Sequence, residues 1–133
     1  IKLVRKGIPL PFSGVHNLRS LVALENLVDF IARCSDIEKS PDAANQVFLI
    51  SDNEDISTPE LITRIARAYG KKPRLINVPV SWMSFAARLL GKQEVTRRLF
   101  GSLQVDCSKA RELLGWEPVI TIDEQLNKIA DSQ

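Results

Sequence analysis

Apolar residues recur along this chain in two rhythms, one helical and one continuous. Leu24, Leu27, Val28, Ile31 and Ala32 fall at helical spacing up to about Cys34, and Leu61, Ile62, Ile65, Ala66 and Tyr69 repeat the pattern until Gly70 ends it. Ser57 or Thr58 can cap that second helix, with Pro59 in its first turn and Glu60 at capping-box spacing. A third stripe, Trp82, Phe85, Ala86, Leu89 and Leu90, follows a capping Ser81 and stops at Gly91, and a short helix is expected over Gln93 to Phe100. Ser108 can cap a helix over Lys109 to Leu114 that Gly115 ends and Pro118 keeps from resuming. Thr121 and Glu124 make a capping box for a last helix whose inward face is Ile122, Leu126 and Ile129. Ile1 to Gly7 reads as the end of a helix.

Strands are expected at Leu18 to Val22, Leu75 to Val80 and Leu103 to Asp106. The run Val47, Phe48, Leu49, Ile50 is continuously apolar, which fits a strand covered on both faces, as in a parallel sheet. Ile8 to Phe12 is extended, because Pro9 and Pro11 lock their own φ and push their predecessors out of the helical region. Ser13 to Asn17 reads as a turn and Ser35 to Asn45 as a polar loop. The whole pattern is α/β.

Composition narrows the class. A chain of 133 residues is about one domain, and at that length roughly two thirds of the unfolded surface is buried on folding. With 18 Lys and Arg against 16 acids, the net charge of +2 supplies no general field for nucleic acid or an anionic membrane. Any anion recognition must be local. Cys34 and Cys107 lack C-x-x-C spacing and nearby histidines, so both read as free thiols in a reducing cytoplasm. No run is long enough for a membrane span and the N-terminus lacks a signal-peptide core, so a cytoplasmic location is expected. The missing initiator Met suggests a piece of something longer.

Candidate chemistry gathers between Arg97 and Pro118, in RRLFGSLQVDCSKARELLGWEP. Arg97 and Arg98 offer guanidinium forks suited to phosphate oxygens, and Gly101 and Ser102 permit close backbone approach and a hydroxyl contact. A slip of one residue in that turn would exchange Arg97 and Arg98. Arg19 is a second candidate, with a structural pairing to Glu25 or Asp29 as its alternative. Asn17 can bind a ligand or make a turn. His16 is the only histidine and has no triad partners. Asp52, Glu54 and Asp55 lack the alternation of a calcium loop and read as a solvated turn.

The string R-L-x-G-S-L-x-x-D-x-S-K-A-R-x-x-L-G-W-x-P, Arg98 to Pro118, resembles the C-terminal region of NAD-dependent nucleotide-sugar epimerases, dehydratases and 4-ketoreductases of the extended short-chain dehydrogenase class. A second string, G-I-P-L-P-F-x-G-x-x-N-x-R-S-L-V from Gly7 to Val22, followed by L-x-N-L-V-D-F-I, resembles the same enzymes. The resemblance implies the C-terminal part of an extended short-chain dehydrogenase, a small substrate-binding domain plus a strand, Val47 to Ile50, and a helix that would join a Rossmann sheet. Residues 1–133 would then form a nucleotide-sugar-binding C-terminal domain of a UDP-sugar 4-epimerase. It also implies that Leu10 and Phe12 offer backbone groups to a uracil, that Arg19 and Arg98 hold the diphosphate from two sides, and that Ser102 and Asn17 complete the substrate site.

NAD would be held by an absent N-terminal Rossmann domain, because the six glycines never form the Gly-rich fingerprint and the only tyrosine, Tyr69, is followed four residues later by Pro73 where Y-x-x-x-K needs Lys. The parent would oxidise C4 of the sugar and return hydride to the 4-keto intermediate, while this chain alone would be inert and carry no catalytic residue, no cofactor and no metal. The expected partners are a UDP-sugar, the Rossmann domain of the same parent and a second copy of the parent, with no nucleic acid and no membrane. A UDP-4-keto-sugar reductase of surface-polysaccharide synthesis, and a non-catalytic nucleotide- or protein-binding module, stay open as alternatives.

Overall fold

A computed structural model describes residues 1–36, 38, 40–89 and 100–132, with the backbone alone at 80, 83, 84, 86 and 87. The described elements run α1 (Lys2–Arg5), β1 (Arg19–Ser20), α2 (Leu24–Ser35), a 3-10 turn (Pro41–Ala43), β2 (Asp55–Ile56), α3 (Thr58–Ala68), α4 (Val80–Leu89), α5 (Ser108–Leu114) and α6 (Ile122–Asp131). The short strands β1 and β2 pair in a two-stranded sheet. The chain is thus mixed helix with a little sheet, compatible with an α/β fragment. It forms two compact units, Ile1–Arg19 with Ile56–Leu103, and Ser20–Asp55 with Gln104–Gln133.

Capping chemistry explains where the helices start and stop. In the first unit, the Ser57 side chain accepts from the Glu60 N–H and Pro59 sits in the first turn of α3, while Gly70, at φ 63°, ends it. The Glu60 carboxylate turns outward to Arg64, 2.7 Å away. Ile65 and Ala66 form the buried face of α3, and α1 packs against that helix with Val4 buried and the Arg5 guanidinium 5.4 Å above the Tyr69 ring. In the second unit, Thr121 and Glu124 complete the reciprocal capping box of α6, and Gly115 closes α5 in the left-handed region at φ 57°. Helix α5 begins one residue earlier than Lys109. Its N-terminus is held by the Asp106 carboxylate, which accepts from the Ser108 N–H at 2.9 Å, in place of a Ser108 cap.

The second unit has its core where Phe30, Ala110, Leu114 and Trp116 meet, with Cys34, Ala43, Phe48 and Ile50 packed around them. Phe30 stands edge-on to Trp116 at 5.1 Å and to Phe48 at 5.7 Å, so each of these rings adds directional attraction to the roughly 1.5 to 3 kcal/mol of burying a large apolar side chain. Trp116 closes the end of α5 as its sequence position suggests, and its indole N–H donates to Asp29 at 2.9 Å. Both cysteines are free thiols.

Three expected strands need correction. Val47 to Ile50 forms no strand: Phe48 and Ile50 lie on the core, while Val47 is 80% and Leu49 56% exposed. A strand exists only with a neighbour to share its ladder, and among the described residues none lies beside this run. Leu75 to Val80 and Leu103 to Asp106 likewise reduce to single parallel bridges, Leu10 with Leu75 and Arg19 with Leu103, and Val80 and Ser81 already belong to α4. The apolar stripes of α2 and α4 do not face a core: Leu24, Val28 and Ile31 are exposed while Asn26 and Phe30 are buried, and Trp82, Phe85 and Leu89 are all exposed. Periodicity identifies a stripe but not what covers it. The helix expected over Gln93 to Phe100, and the stripe member Leu90, lie outside the described residues, Phe100 excepted.

Candidate functional site

Five of the six candidate binding residues, Leu10, Phe12, Asn17, Arg19 and Ser102, are described and all five belong to the first unit. Arg98, with Arg97, lies outside the described residues. What joins the others is a zipper between residues 17–19 and 101–103. The Leu103 N–H donates to the Leu18 carbonyl at 2.9 Å, and the Leu18 N–H donates to Ser102 Oγ at 3.1 Å. Arg19 closes the same turn, donating from Nε and Nη2 to the Gly101 carbonyl, each at 3.3 Å. These bonds take two of the five guanidinium N–H groups.

The acids weighed as partners of Arg19 are engaged elsewhere. Glu25 accepts from Lys128 at 2.6 Å, and Asp29 accepts from Trp116. Asn17 is buried at 2% exposure, and its amide works inside the unit: Nδ2 donates to the Gly101 carbonyl at 3.4 Å and Oδ1 accepts from the Thr58 N–H at 3.0 Å. Asn17 therefore ties the zipper to the start of α3. His16, next to it, is exposed.

The Pro-containing segment is fixed from its other side. The Leu10 N–H donates to the Arg74 carbonyl at 2.8 Å, and the Ile76 N–H donates back to the Leu10 carbonyl at 2.9 Å, so both backbone groups of Leu10 serve the bridge to Leu75. The Phe12 carbonyl accepts from Val15 at 3.1 Å, and the Phe12 ring meets the Phe100 ring edge-on at 6.4 Å, just before the Gly101 turn. A side chain at Gly14 would come within 3.0 Å of Asn77 Oδ1, so the turn after Phe12 leaves little room for one. The first unit thus gathers an extended segment, a guanidinium and a hydroxyl around one Gly-Ser turn.

A dinucleotide cradle needs glycines where a strand turns into a helix. The glycines here do other work: Gly7, Gly70 and Gly115, at φ 67°, 63° and 57°, follow helix ends, and Gly101 offers its carbonyl to Arg19 and Asn17. The described residues do not fit NAD. The acidic trio is structural in part: Asp52 accepts from Ala23 N–H at 2.9 Å at the start of α2, and Asp55 accepts from the Ser20 hydroxyl at 2.6 Å and from Gln104. Those two bonds hold the Asp55 carboxyl below the usual Asp range.

Sequence reasoning missed two features of the second unit. Asn26, wholly buried, binds Asp52, Val119 and Ile120; its only signal was an amide set inside an apolar helical run. Ser51 Oγ and Cys107 Sγ lie 3.1 Å apart beside an open cleft of about 290 Å3 lined by Asp55, Asp106 and Arg111.

Over 133 residues, covering 99% of its length, the chain is 44% identical to the UDP-glucose 4-epimerase of Vibrio cholerae. The chain spans 40% of that relative's length. No protein-family profile matches it, and no solved structure does.

Proposed function

Because the chain matches a C-terminal fragment of an epimerase, we propose that it is the part of a nucleotide-sugar 4-epimerase that grips the UDP end of the substrate. The observation that supports this most is the zipper of residues 17–19 on 101–103, which brings together an arginine and a hydroxyl that lie more than 80 positions apart in sequence. Arg19 is braced by Gly101 and keeps further N–H groups for phosphate oxygens, and Arg98, three positions before Gly101 in sequence, supplies the second guanidinium. Ser102 accepts from Leu18 and donates its own proton to a phosphate oxygen. Leu10 and Phe12 border the uracil, with the second lone pairs of their carbonyls available to it. Asn17 is a positioning residue, acting through Gly101 and Thr58.

In this reading the chain does no bond-making. Charge-assisted contacts of about 1.5 to 3 kcal/mol each hold the diphosphate, and that remote binding energy fixes where the sugar lies. Nicotinamide chemistry, with its fingerprint and its Tyr-Lys pair, belongs to a part of the parent that precedes these residues. The parent is a homo-oligomeric enzyme acting in the cytoplasm. Among the described residues no helix is long and apolar enough to cross a membrane.

Calorimetry with UDP tests the grip directly. A half site is expected to bind at roughly millimolar, about −4 kcal/mol. Arg98→Ala should abolish what remains, and Arg19→Lys, which keeps the charge but loses the fork, should weaken it severalfold with the fold intact. Equal binding by Arg98→Ala removes Arg98 from the site, and absence of any UDP binding by the unsubstituted chain defeats the reading.

A further inference from the structure

The near-neutral charge of the chain conceals a strong separation. The unit made of Ile1–Arg19 and Ile56–Leu103 carries 13 Lys and Arg against two Glu, a formal charge of +11, whereas Ser20–Asp55 with Gln104–Gln133 carries five against 14, or −9. The five described candidate UDP-binding residues all fall in the positive unit. Part of that charge has a defined place. Lys71, Lys72 and Arg74 follow the Gly70 stop of α3 and are exposed. The bonds from Leu10 to Arg74 and from Ile76 to Leu10 set the end of this basic run, Arg74, against Leu10, with Lys72 and Lys71 two and three positions before it in sequence.

We propose that the cations of this unit, Lys71 and Lys72 foremost, form an electrostatic funnel that draws a nucleoside diphosphate toward the Leu10–Phe12 segment and Arg19 without themselves binding it. The inference rests on the UDP-binding reading above and adds to it a set of residues outside the contact shell. Its physics is long-ranged: a surface of one sign raises the local concentration and arrival rate of an oppositely charged ligand by about 10- to 1,000-fold at low ionic strength. Charges that steer but do not touch change the arrival rate and its salt dependence, and the effect fades once the screening length falls below their distance. The two Glu of this unit, Glu60 and Glu94, cancel little of it, and Glu60 is already paired with Arg64.

The test titrates the 133-residue chain with UDP and with uridine, which carries the same base and no phosphate, in parallel with Lys71→Glu/Lys72→Glu. At low salt the variant should bind UDP about fivefold more weakly or worse, while at about 0.5 M salt, where the screening length is about 4 Å, the two proteins should bind it equally. Uridine binding should be the same for both throughout. Equal UDP affinity at low salt overturns the funnel, a loss that persists at high salt makes the lysines direct contacts and overturns it too, and an equal loss of uridine assigns the effect to damaged structure. Tighter binding of a single-stranded oligonucleotide than of UDP would show that the positive unit serves a polyanion instead. Failure of the unsubstituted chain to bind UDP at all removes the UDP-binding reading and the funnel with it, whereas normal UDP binding with an indifferent variant removes only the funnel.

Discussion

Asn26 spends all four hydrogen-bonding positions of its amide within the second unit. Nδ2 donates to Asp52 at 2.6 Å and to the Ile120 carbonyl at 2.8 Å, and Oδ1 accepts from the N–H groups of Val119 and Ile120 at 2.8 and 3.0 Å. An apolar replacement strands these partners in a site with no water access, so Asn26→Ala is expected to cost about 3 kcal/mol or more, read as a shift in a urea unfolding curve. A loss under about 1 kcal/mol would mean the partners find water. Asn26→Asp should be no milder at neutral pH, because a carboxylate cannot donate to Asp52. The sequence shows an Asn within an apolar helix face, but not that the chain near Val119 comes back to meet it, since that meeting spans more than 90 positions. Arg19 teaches the same point: local acids suggested a salt bridge, and the partner is a carbonyl 82 positions away.

At the scale of elements, helices were legible because their signals are local. The Thr121 and Glu124 pair, the Ser57 cap and the glycine stops all act within four residues. Thr121→Ala is expected to cost about 1 kcal/mol, as the loss of a cap usually does, and to fray the first turn of α6 in amide exchange. The carboxyls tied into such local bonds also set the acid limit. Glu124, bonded by the Thr121 N–H and hydroxyl, and Asp106, bonded by the Ser108 N–H, both sit below their ordinary values of 4.5 and 3.8, as Asp55 does. Each is more acidic folded than unfolded, so its contribution is whole above the unfolded value and fades as pH falls through the folded one. Stability of the second unit, followed by Trp116 emission, should therefore decline from about pH 5 downward, and Glu124→Gln should lower it at neutral pH while flattening that decline. An unchanged pH profile in the variant would assign the decline to the other carboxyls.

At the scale of the whole chain, the exposed apolar residues are the feature that composition could not reveal. Leu24, Val28 and Ile31 on α2, Val47 and Leu49 beside the core, and Trp82, Phe85 and Leu89 on α4 all face outward. Large apolar patches on a protein surface mark places that another surface covers. The Vibrio cholerae epimerase, of which this chain spans 40%, has further chain outside the match. The chain on its own is therefore expected to self-associate, with a sedimentation coefficient that rises with concentration. Substituting Val47 and Leu49 together by Lys should shift it toward monomer with little loss of stability, because neither contributes to the core. A cooperatively folding monomer at high concentration would show that these faces need no cover.

Sequence alone determined the helical stretches of α2, α3, α5 and α6, the Ser57 and Thr121 caps, the Gly70 and Gly115 stops, the Trp116 plug and the likeness of the chain to an epimerase, because each rests on residues within a few positions of one another or on a string read in order. Tertiary structure decided the rest: which face of α2 is buried, that the run Val47 to Ile50 stays without a ladder, that Arg19 answers to Gly101, and that the basic residues collect in one unit and the acidic ones in the other. The physical reason is that burial, strand pairing and net field are properties of what lies across from a residue. Distance along the chain does not fix that until the chain has folded.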